Sequence, residues 1–161
     1  MQKSKVLFLG LGRMGFHMSA HLSKSKNVEL YIYNRSKKKE NDWLNVYKAK
    51  KFDFRNCVNL KFDIIITCLK DDHSINQVTK NLLKSLSFHK NTIFIDHSTI
   101  SLSQVEKLNK LLNNYKIKFL DAPVTGGVEG AKNGKLSVMI GGNTSMFKLA
   151  LPIIKTYSKS I

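Results

Sequence analysis

The chain has 161 residues, 42% of them hydrophobic, and a formal net charge of +16. This length and composition suit one folded domain and exclude a disordered chain. No apolar run reaches the roughly 18–20 residues of a membrane-spanning helix, and the first run, KVLFLG, is too short for a signal peptide. The charge comes mainly from scattered lysines, whereas nucleic-acid readers rely on arginine and on clustered charge. We therefore expect neither a membrane nor nucleic acid as a partner.

Short apolar runs alternate with segments of helical periodicity along the whole chain. Continuous apolar runs such as FDIIITCL, residues 62–69, are typical of parallel strands covered on both faces. The alternation predicts a Rossmann-type α/β fold with a doubly wound, mostly parallel sheet, as one domain over residues 1–161. The predicted strands are Lys5–Gly10, Val28–Asn34, Phe62–Leu69, Thr92–Asp96, Ile117–Pro123 and Leu136–Gly142, and the predicted helices are Arg13–Ser25, Lys38–Lys48, Asp72–Leu86, Ser101–Asn114 and Ser145–Tyr157.

A glycine motif, GLGRMG, joins the first predicted strand to the first predicted helix. In the G-x-G-x-x-G pattern the first glycine allows a tight turn, the second lets a pyrophosphate approach, and the third lets helix pack on strand. The helix N-terminus then presents free N–H groups to the phosphates. A glycine turn in some other α/β protein is the alternative. The prediction is a dinucleotide site formed by Gly10, Leu11, Gly12, Arg13, Met14 and Gly15.

The residues after the second predicted strand bear on the choice of cofactor. An Asp or Glu there accepts a hydrogen bond from the ribose 2′-OH of NAD. This sequence has Asn34, Arg35 and Ser36 instead, and a guanidinium with a hydroxyl can bind a 2′-phosphate. We predict NADP, with NAD possible. The alternative is that Arg35 is only a solvated charge.

A second glycine-rich stretch, DAPVTGGVEGAKNGK, covers residues 121–135. Thr125 offers a hydroxyl, and Gly126 and Gly127 leave their N–H groups unobstructed, so the loop can bind a carboxylate. The alternative is that the glycines only shape a strand connection. Together, FLGLGRMGFHMSAHL and DAPVTGGVEGAKNGKLSVMIGG resemble the β-hydroxyacid dehydrogenase family, which includes 3-hydroxyisobutyrate dehydrogenase, tartronate semialdehyde and glyoxylate reductases and 6-phosphogluconate dehydrogenase. The segment IDHSTIS between them is similar to the family's Ser-Thr segment.

The resemblance implies roles for three parts of the chain. The loop at Thr125–Gly127 would bind a small carboxylate substrate, although the family more commonly has Ser where Thr125 stands. Leu69 and Lys70 would form a turn that contacts the cofactor, although the family usually has Pro in place of Lys70. Thr99 would lie beside the nicotinamide, with a strand-end or capping hydroxyl as the alternative.

The resemblance also implies hydride transfer to a small semialdehyde acid or from a β-hydroxy acid. The family's general acid/base is a Lys on a helix after the nucleotide domain, and nothing in this sequence matches that segment. The chain ends at Ile161, just where the final strand and that helix should begin. The all-helical C-terminal domain, which makes most of the family's homo-oligomer interface, is missing as well. Lys155 and Lys159 are poor substitutes for the catalytic Lys.

Two functional hypotheses follow. In the first, the chain is the NADP(H)-binding domain of a β-hydroxyacid dehydrogenase, cut short before the catalytic Lys and nearly inactive alone. In the second, it is a stand-alone, non-catalytic module that binds a dinucleotide or associates with nucleic acid. A coding sequence that continues past Ile161 with a glycine-then-Lys segment would favour the first.

Four side chains could suggest metal or redox chemistry. Cys57 and Cys68 have no metal-ligand spacing, so a reduced, cytoplasmic protein is the simplest interpretation. His17 and His21 lie four residues apart on the predicted first helix, as two metal ligands can. No third ligand is evident, and we expect packing or surface histidines and no metal site.

Overall fold

A computed structural model describes residues 3–88 and 91–161 of the chain. Strands and helices alternate along both described segments. In chain order the elements are β1 (Ser4–Leu9), α1 (Gly15–Ser23), β2 (Val28–Tyr33), α2 (Lys37–Leu44), β3 (Lys50–Lys51), β4 (Ile64–Thr67), α3 (Asp72–Ser85), β5 (Ile93–Asp96), α4 (Leu102–Asn114), β6 (Lys118–Asp121), β7 (Val124–Thr125), α5 (Gly127–Lys132), β8 (Leu136–Val138), β9 (Gly141–Gly142), α6 (Thr144–Ile154) and β10 (Ser158–Ser160).

The main sheet has the strand order β3-β2-β1-β4-β5-β6-β9. All pairs from β3 to β6 are parallel, and only β9 runs antiparallel to its neighbour. The register sets Leu9 opposite both Tyr33 and Thr67, and Thr67 opposite Asp96. The carboxyl ends of the central strands therefore meet at one edge of the sheet, and the chain reverses its winding direction at β1. The predicted doubly wound, mostly parallel sheet is confirmed.

Two apolar cores cover the two faces of this sheet. Successive residues of β1 alternate between them, with Val6 and Phe8 in one core and Leu7 and Leu9 in the other. The first core also contains Met18 and Leu22 of α1 and residues of α6, and the second contains residues of α3 and α4. Burial on both faces explains why the central strands are continuous apolar runs in the sequence.

A smaller sheet of order β10-β8-β7 packs beside the main one. The prediction of one strand over Leu136–Gly142 is wrong, because β8 pairs in the small sheet and β9 pairs with β6 of the main sheet. The chain crosses between the two sheets at this point. Gly142 has a φ of 147° and its position leaves no room for a side chain, since a Cβ there would lie 2.5 Å from a methyl carbon of Leu120.

Several short elements were absent from the sequence prediction. They are β3, β7, α5 and β10, each between two and six residues long. The last helix ends at Ile154, before its predicted end at Tyr157, and β10 then runs parallel to β8. No helix in the described parts of the chain is long and apolar enough to cross a membrane.

Candidate functional site

The glycine loop between β1 and α1 has three glycines with three different surroundings. Gly10 has a φ of 106°, and a Cβ there would lie 2.4 Å from the carbonyl oxygen of Cys68. A Cβ on Gly15 would lie 1.9 Å from the carbonyl oxygen of Gly10. Gly12 is exposed, and a Cβ there would meet no atom within 4 Å. Gly10 and Gly15 are therefore required by the fold, whereas Gly12 leaves space open in front of the loop.

Asn34 connects this loop to the end of β2. Its side-chain oxygen accepts a hydrogen bond from the Leu11 N–H at 2.9 Å, and its own N–H donates to Glu40 Oε1 at 3.1 Å. Glu40 is fully buried and forms ion pairs with Lys37 at 3.2 Å and Lys51 at 3.1 Å. Asn34 thus fixes the shape of the glycine loop. The sequence analysis missed Glu40, whose only signal is a single acid beside three lysines.

Arg35 and Ser36 lie where α2 begins. The Ser36 hydroxyl accepts from the Lys39 N–H at 3.4 Å and so caps the helix. Arg35 is exposed, and its guanidinium makes no hydrogen bond or ion pair with any residue that the structure describes. An unpaired positive charge therefore stands beside a helix N-terminus, which itself favours anions.

The turn between β4 and α3 forms the opposite wall. The Leu69 N–H donates to the Ser98 hydroxyl at 2.9 Å, and Lys70 pairs with Asp71 at 3.1 Å. Asp71 caps α3 by accepting from the Ser74 N–H at 2.8 Å, and this bonding lowers the pKa of its carboxyl to about 2. Asp71 is thus a helix-capping acid, and its carboxyl stays ionised near neutral pH.

These three walls enclose a cavity of about 470 Å³ at the carboxyl ends of β1, β2 and β4. Eleven of the predicted site residues line it. They are Gly10, Leu11, Gly12, Arg13, Met14, Gly15, Asn34, Arg35, Ser36, Leu69 and Lys70. Sequence reasoning missed Tyr33, Lys39, Ser74, Gln77 and Val78, which line it too. Ser74, Gln77 and Val78 lie at helical spacing on the first turns of α3. Because α3 follows β4 closely in the sequence, this spacing could have indicated that the three residues line the cavity.

Thr99 and the second glycine loop do not line this cavity. Thr99 is exposed in the connection between β5 and α4. Thr125 pairs with Ser137 in the small sheet, and Gly126 and Gly127 have φ values of 118° and 62°. Because only glycine adopts such angles freely, these two residues do shape the connection into α5. Their role toward a substrate stays a prediction.

A buried histidine connects the second loop to the main sheet. His97 follows β5, and its Nδ1 lies 2.5 Å from the carbonyl oxygen of Ala122 while its Nε2 lies 2.9 Å from the Tyr157 hydroxyl. Since the carbonyl can only accept, Nδ1 carries the proton and Nε2 accepts from Tyr157. Complete burial lowers the pKa of His97 to about 4, so the ring is neutral near pH 7.

His21 connects α1 to α5. Its Nε2 lies 3.0 Å from the Ala131 carbonyl and 3.1 Å from the Lys132 carbonyl, so it carries the proton and donates. Gly134 lies against the ring. Within residues 3–88 and 91–161, no group of three His, Cys, Asp or Glu side chains could hold a metal ion.

The cavity suits a dinucleotide by its shape and by its donors. Gly12 faces open space that a side chain would fill, which is the arrangement a pyrophosphate needs to approach the backbone. Helix α1 begins immediately behind it with its N-terminal N–H groups. Arg13, Arg35 and Lys39 supply positive charge around the same space.

Comparison with known proteins decides the family. The model for the NAD binding domain of 6-phosphogluconate dehydrogenase matches residues 5–161. The chain belongs to the β-hydroxyacid dehydrogenase family. An uncharacterized oxidoreductase of Shewanella frigidimarina is 37% identical over 97% of this chain and 54% of its own length. The mitochondrial 3-hydroxyisobutyrate dehydrogenase of Drosophila melanogaster is 32% identical over 96% of this chain and 47% of its own length.

Two solved structures are similar to this chain over nearly its whole length. The 3-hydroxyisobutyrate dehydrogenase of Mycobacterium tuberculosis, solved with L-serine, has a TM-score of 0.87 at 28% identity, over 99% of this chain and 54% of that one. Psf3, solved in complex with NADP+ and 2-OPP, has a TM-score of 0.83 at 26% identity, over 96% of this chain and 55% of that one. The chain therefore spans about half the length of these family members, and the resemblance predicted from the sequence is confirmed.

Proposed function

We propose that the described cavity binds NADP(H) and that the chain is the cofactor-binding part of a reductase or dehydrogenase for small hydroxy acids. The observation that carries this proposal is the open space at Gly12, directly in front of the start of α1 and between two walls of the sheet edge. The hydrogen bond from the Leu11 N–H to the Asn34 side chain holds the loop in that shape. A dinucleotide would find its phosphate site already formed.

The choice of NADP over NAD rests on Arg35. Asn34 is engaged in holding the glycine loop, and the first acid after β2, Glu40, is buried and paired with two lysines. Neither is a free carboxylate that could accept from a ribose hydroxyl as the acid of an NAD site does. Arg35 is free to bind a 2′-phosphate beside the capped start of α2.

Titration of the chain with NADPH and NADH, followed by cofactor fluorescence, tests this proposal. A charged hydrogen bond contributes about 1.5–3 kcal/mol, so Arg35→Ala should weaken NADPH binding roughly ten- to hundredfold. The affinity for NADH should stay the same. Arg55→Ala is the matched control, because Arg55 is also exposed but does not line the cavity. Equal affinities for both cofactors, or no loss with Arg35→Ala, would contradict NADP preference.

For the substrate we propose a small carboxylate bound at Thr125, Gly126 and Gly127. A relative from Eubacterium barkeri, 31% identical over all of this chain, is a 2-(hydroxymethyl)glutarate dehydrogenase, which supports a hydroxy acid. The bound nicotinamide would supply hydride transfer. The chain's own part is to orient the cofactor through its cavity, with Thr99 on the nicotinamide side. The general acid/base Lys is expected outside these 161 residues, as is the second domain through which full-length members would associate.

A further inference from the structure

A chain of hydrogen bonds runs behind the cavity from the buried Asp96 to the turn after β4. The Leu69 N–H donates to the Ser98 hydroxyl at 2.9 Å, and that hydroxyl donates to Asp96 Oδ1 at 2.5 Å. The Thr67 hydroxyl donates to the same oxygen at 2.7 Å, and the Ser98 N–H does so at 3.0 Å. Asp96, Ser98 and Thr67 are all buried.

The direction of each hydrogen bond in this series is fixed by whether the group can donate or only accept. A backbone N–H can only donate, so the Ser98 oxygen accepts from Leu69 and must place its single proton elsewhere. An ionised carboxylate can only accept, and Asp96 Oδ1 receives that proton. Replacing the hydroxyl would leave the Leu69 N–H without this partner, and replacing Asp96 would leave the Ser98 hydroxyl without its fixed acceptor.

The position of Leu69 matters to the cavity because the turn packs directly on the glycine loop. A Cβ on Gly10 would lie 2.4 Å from the Cys68 carbonyl oxygen and 2.8 Å from a methyl carbon of Leu69. Leu69 and Lys70 also line the cavity. Any shift of this turn therefore changes the width of the space between it and the glycine loop.

The second oxygen of Asp96 is an unfavourable feature for a group whose only role is to stabilise the fold. Asp96 Oδ2 is buried and has no hydrogen-bond partner among the described residues. A buried acceptor without a partner costs stability, so an apolar side chain of similar size would suit the core better. What the carboxylate provides is a fixed acceptor for Ser98.

We propose that Ser98 and Asp96 are positioning residues for the dinucleotide site, which hold the Leu69–Lys70 turn at the distance from the glycine loop that the cofactor requires. This inference rests on the proposed cofactor function. Neither side chain lines the cavity, and both act through the backbone of Leu69.

Three variants of the 161-residue chain test the inference. Ser98→Ala removes the acceptor of the Leu69 N–H, Ser98→Thr keeps a hydroxyl, and Thr67→Val removes a different donor to Asp96 while leaving the link to Leu69 in place. We measure NADPH affinity by fluorescence, thermal stability, and hydrogen exchange of the Leu69 amide by NMR without cofactor. Ser98→Ala should speed hydrogen exchange of the Leu69 amide and weaken NADPH binding roughly tenfold, as expected for one lost hydrogen bond. Ser98→Thr should restore both.

Thr67→Val separates positioning from general stability. It should lower the melting temperature but leave NADPH affinity and Leu69 exchange unchanged. Ser98→Ala with unchanged affinity or unchanged exchange overturns the inference, and so does Thr67→Val with an equal loss of affinity. If Ser98→Ala does not fold, Ser98→Cys replaces it, because a thiol is a weak acceptor and should give a partial loss.

The proposed function and this inference can fail separately. If the unaltered chain binds neither NADPH nor NADH, the proposed function is wrong. The amide exchange of Leu69 in the three variants, measured without cofactor, then still decides whether Ser98 holds the turn.

Discussion

At the scale of single residues, substitutions of Gly12 and Gly15 should have different effects, the first on cofactor binding and the second on folding stability. Gly12→Ala should leave the melting temperature unchanged, because its Cβ would meet no atom within 4 Å. The methyl group would instead occupy the space through which the pyrophosphate approaches the backbone, and it should weaken NADPH binding roughly tenfold or more. Thermal melts and fluorescence titration measure the two effects.

Gly15→Ala is the comparison, since a Cβ there would lie 1.9 Å from the Gly10 carbonyl oxygen. Overpacking of this kind costs about 1–3 kcal/mol or more, so this variant should lose stability first. If Gly12→Ala binds NADPH normally, the cavity does not take a pyrophosphate at that point.

Asp96 and His97 are neighbours with opposite responses to acid. Burial raises the pKa of Asp96 to about 6, so the folded state binds a proton more readily than the unfolded state between pH 6 and 4. Burial lowers the pKa of His97 to about 4, so over pH 6.5 to 4 the unfolded state binds the proton more readily. Acidification therefore favours folding through Asp96 and opposes it through His97, and the two effects largely cancel.

Replacing either titrating side chain should reveal the pH dependence of stability that the other one contributes. Relative to the unaltered chain, Asp96→Asn should lose stability steadily as the pH falls from 6 to 4, by up to about 3 kcal/mol. His97→Gln should gain relative stability over the same range. Urea denaturation at several pH values measures the free energies of unfolding. Two variants with the same pH slope would show that these groups do not titrate as their burial indicates.

At the scale of elements, the sequence predicts those that bury an apolar face. β1, β4 and β5 contain continuous apolar runs, and α3 and α4 begin at capping residues, Asp71 and Ser101. The dinucleotide loop was also evident, because its glycines occupy a motif at the end of a strand. These features depend on neighbours in sequence.

The elements that were missed depend on contacts across the fold. The short helix α5 begins at two glycines and contains a third, which favours a loop in isolation. It is held by α1 through His21. The hydrogen bonds from Leu11 to Asn34 and from Leu69 to Ser98 join residues that are far apart in sequence and that only folding brings together. Local sequence contains no information about such partners.

Mutation of His21 tests whether its contact with α5 holds that helix in place. His21→Ala removes the donor to the Ala131 and Lys132 carbonyls and should speed amide exchange in α5 by roughly tenfold. NADPH affinity should stay unchanged, because His21 does not line the cavity. His73→Ala, at an exposed histidine on α3, is the control and should leave α5 exchange unaltered. Equal exchange rates in both variants would show that His21 does not hold α5.

At the scale of the whole molecule, we expect binding without appreciable turnover. The cavity is formed by the chain's own residues, so NADPH should bind. Without general acid/base catalysis a rate is typically ~10²–10⁴-fold lower, and without positioning of the substrate it is lower still. NADPH oxidation with glyoxylate, succinic semialdehyde, tartronate semialdehyde and methylmalonate semialdehyde measures this. A version extended through a helical domain is the positive control, and full turnover by the 161 residues would place the catalytic base within them.

The two edges of the main sheet bear on how the protein behaves when concentrated. One edge is β3, two lysines that pair with Glu29 and Glu40, and the other is β9, two glycines running against the direction of the sheet. An exposed edge strand can template the addition of strands from other molecules, and natural proteins prevent this with short edges and with charge. Both of these edges are only two residues long and offer few free backbone groups to a foreign strand, which disfavours edge-to-edge polymerisation through the main sheet.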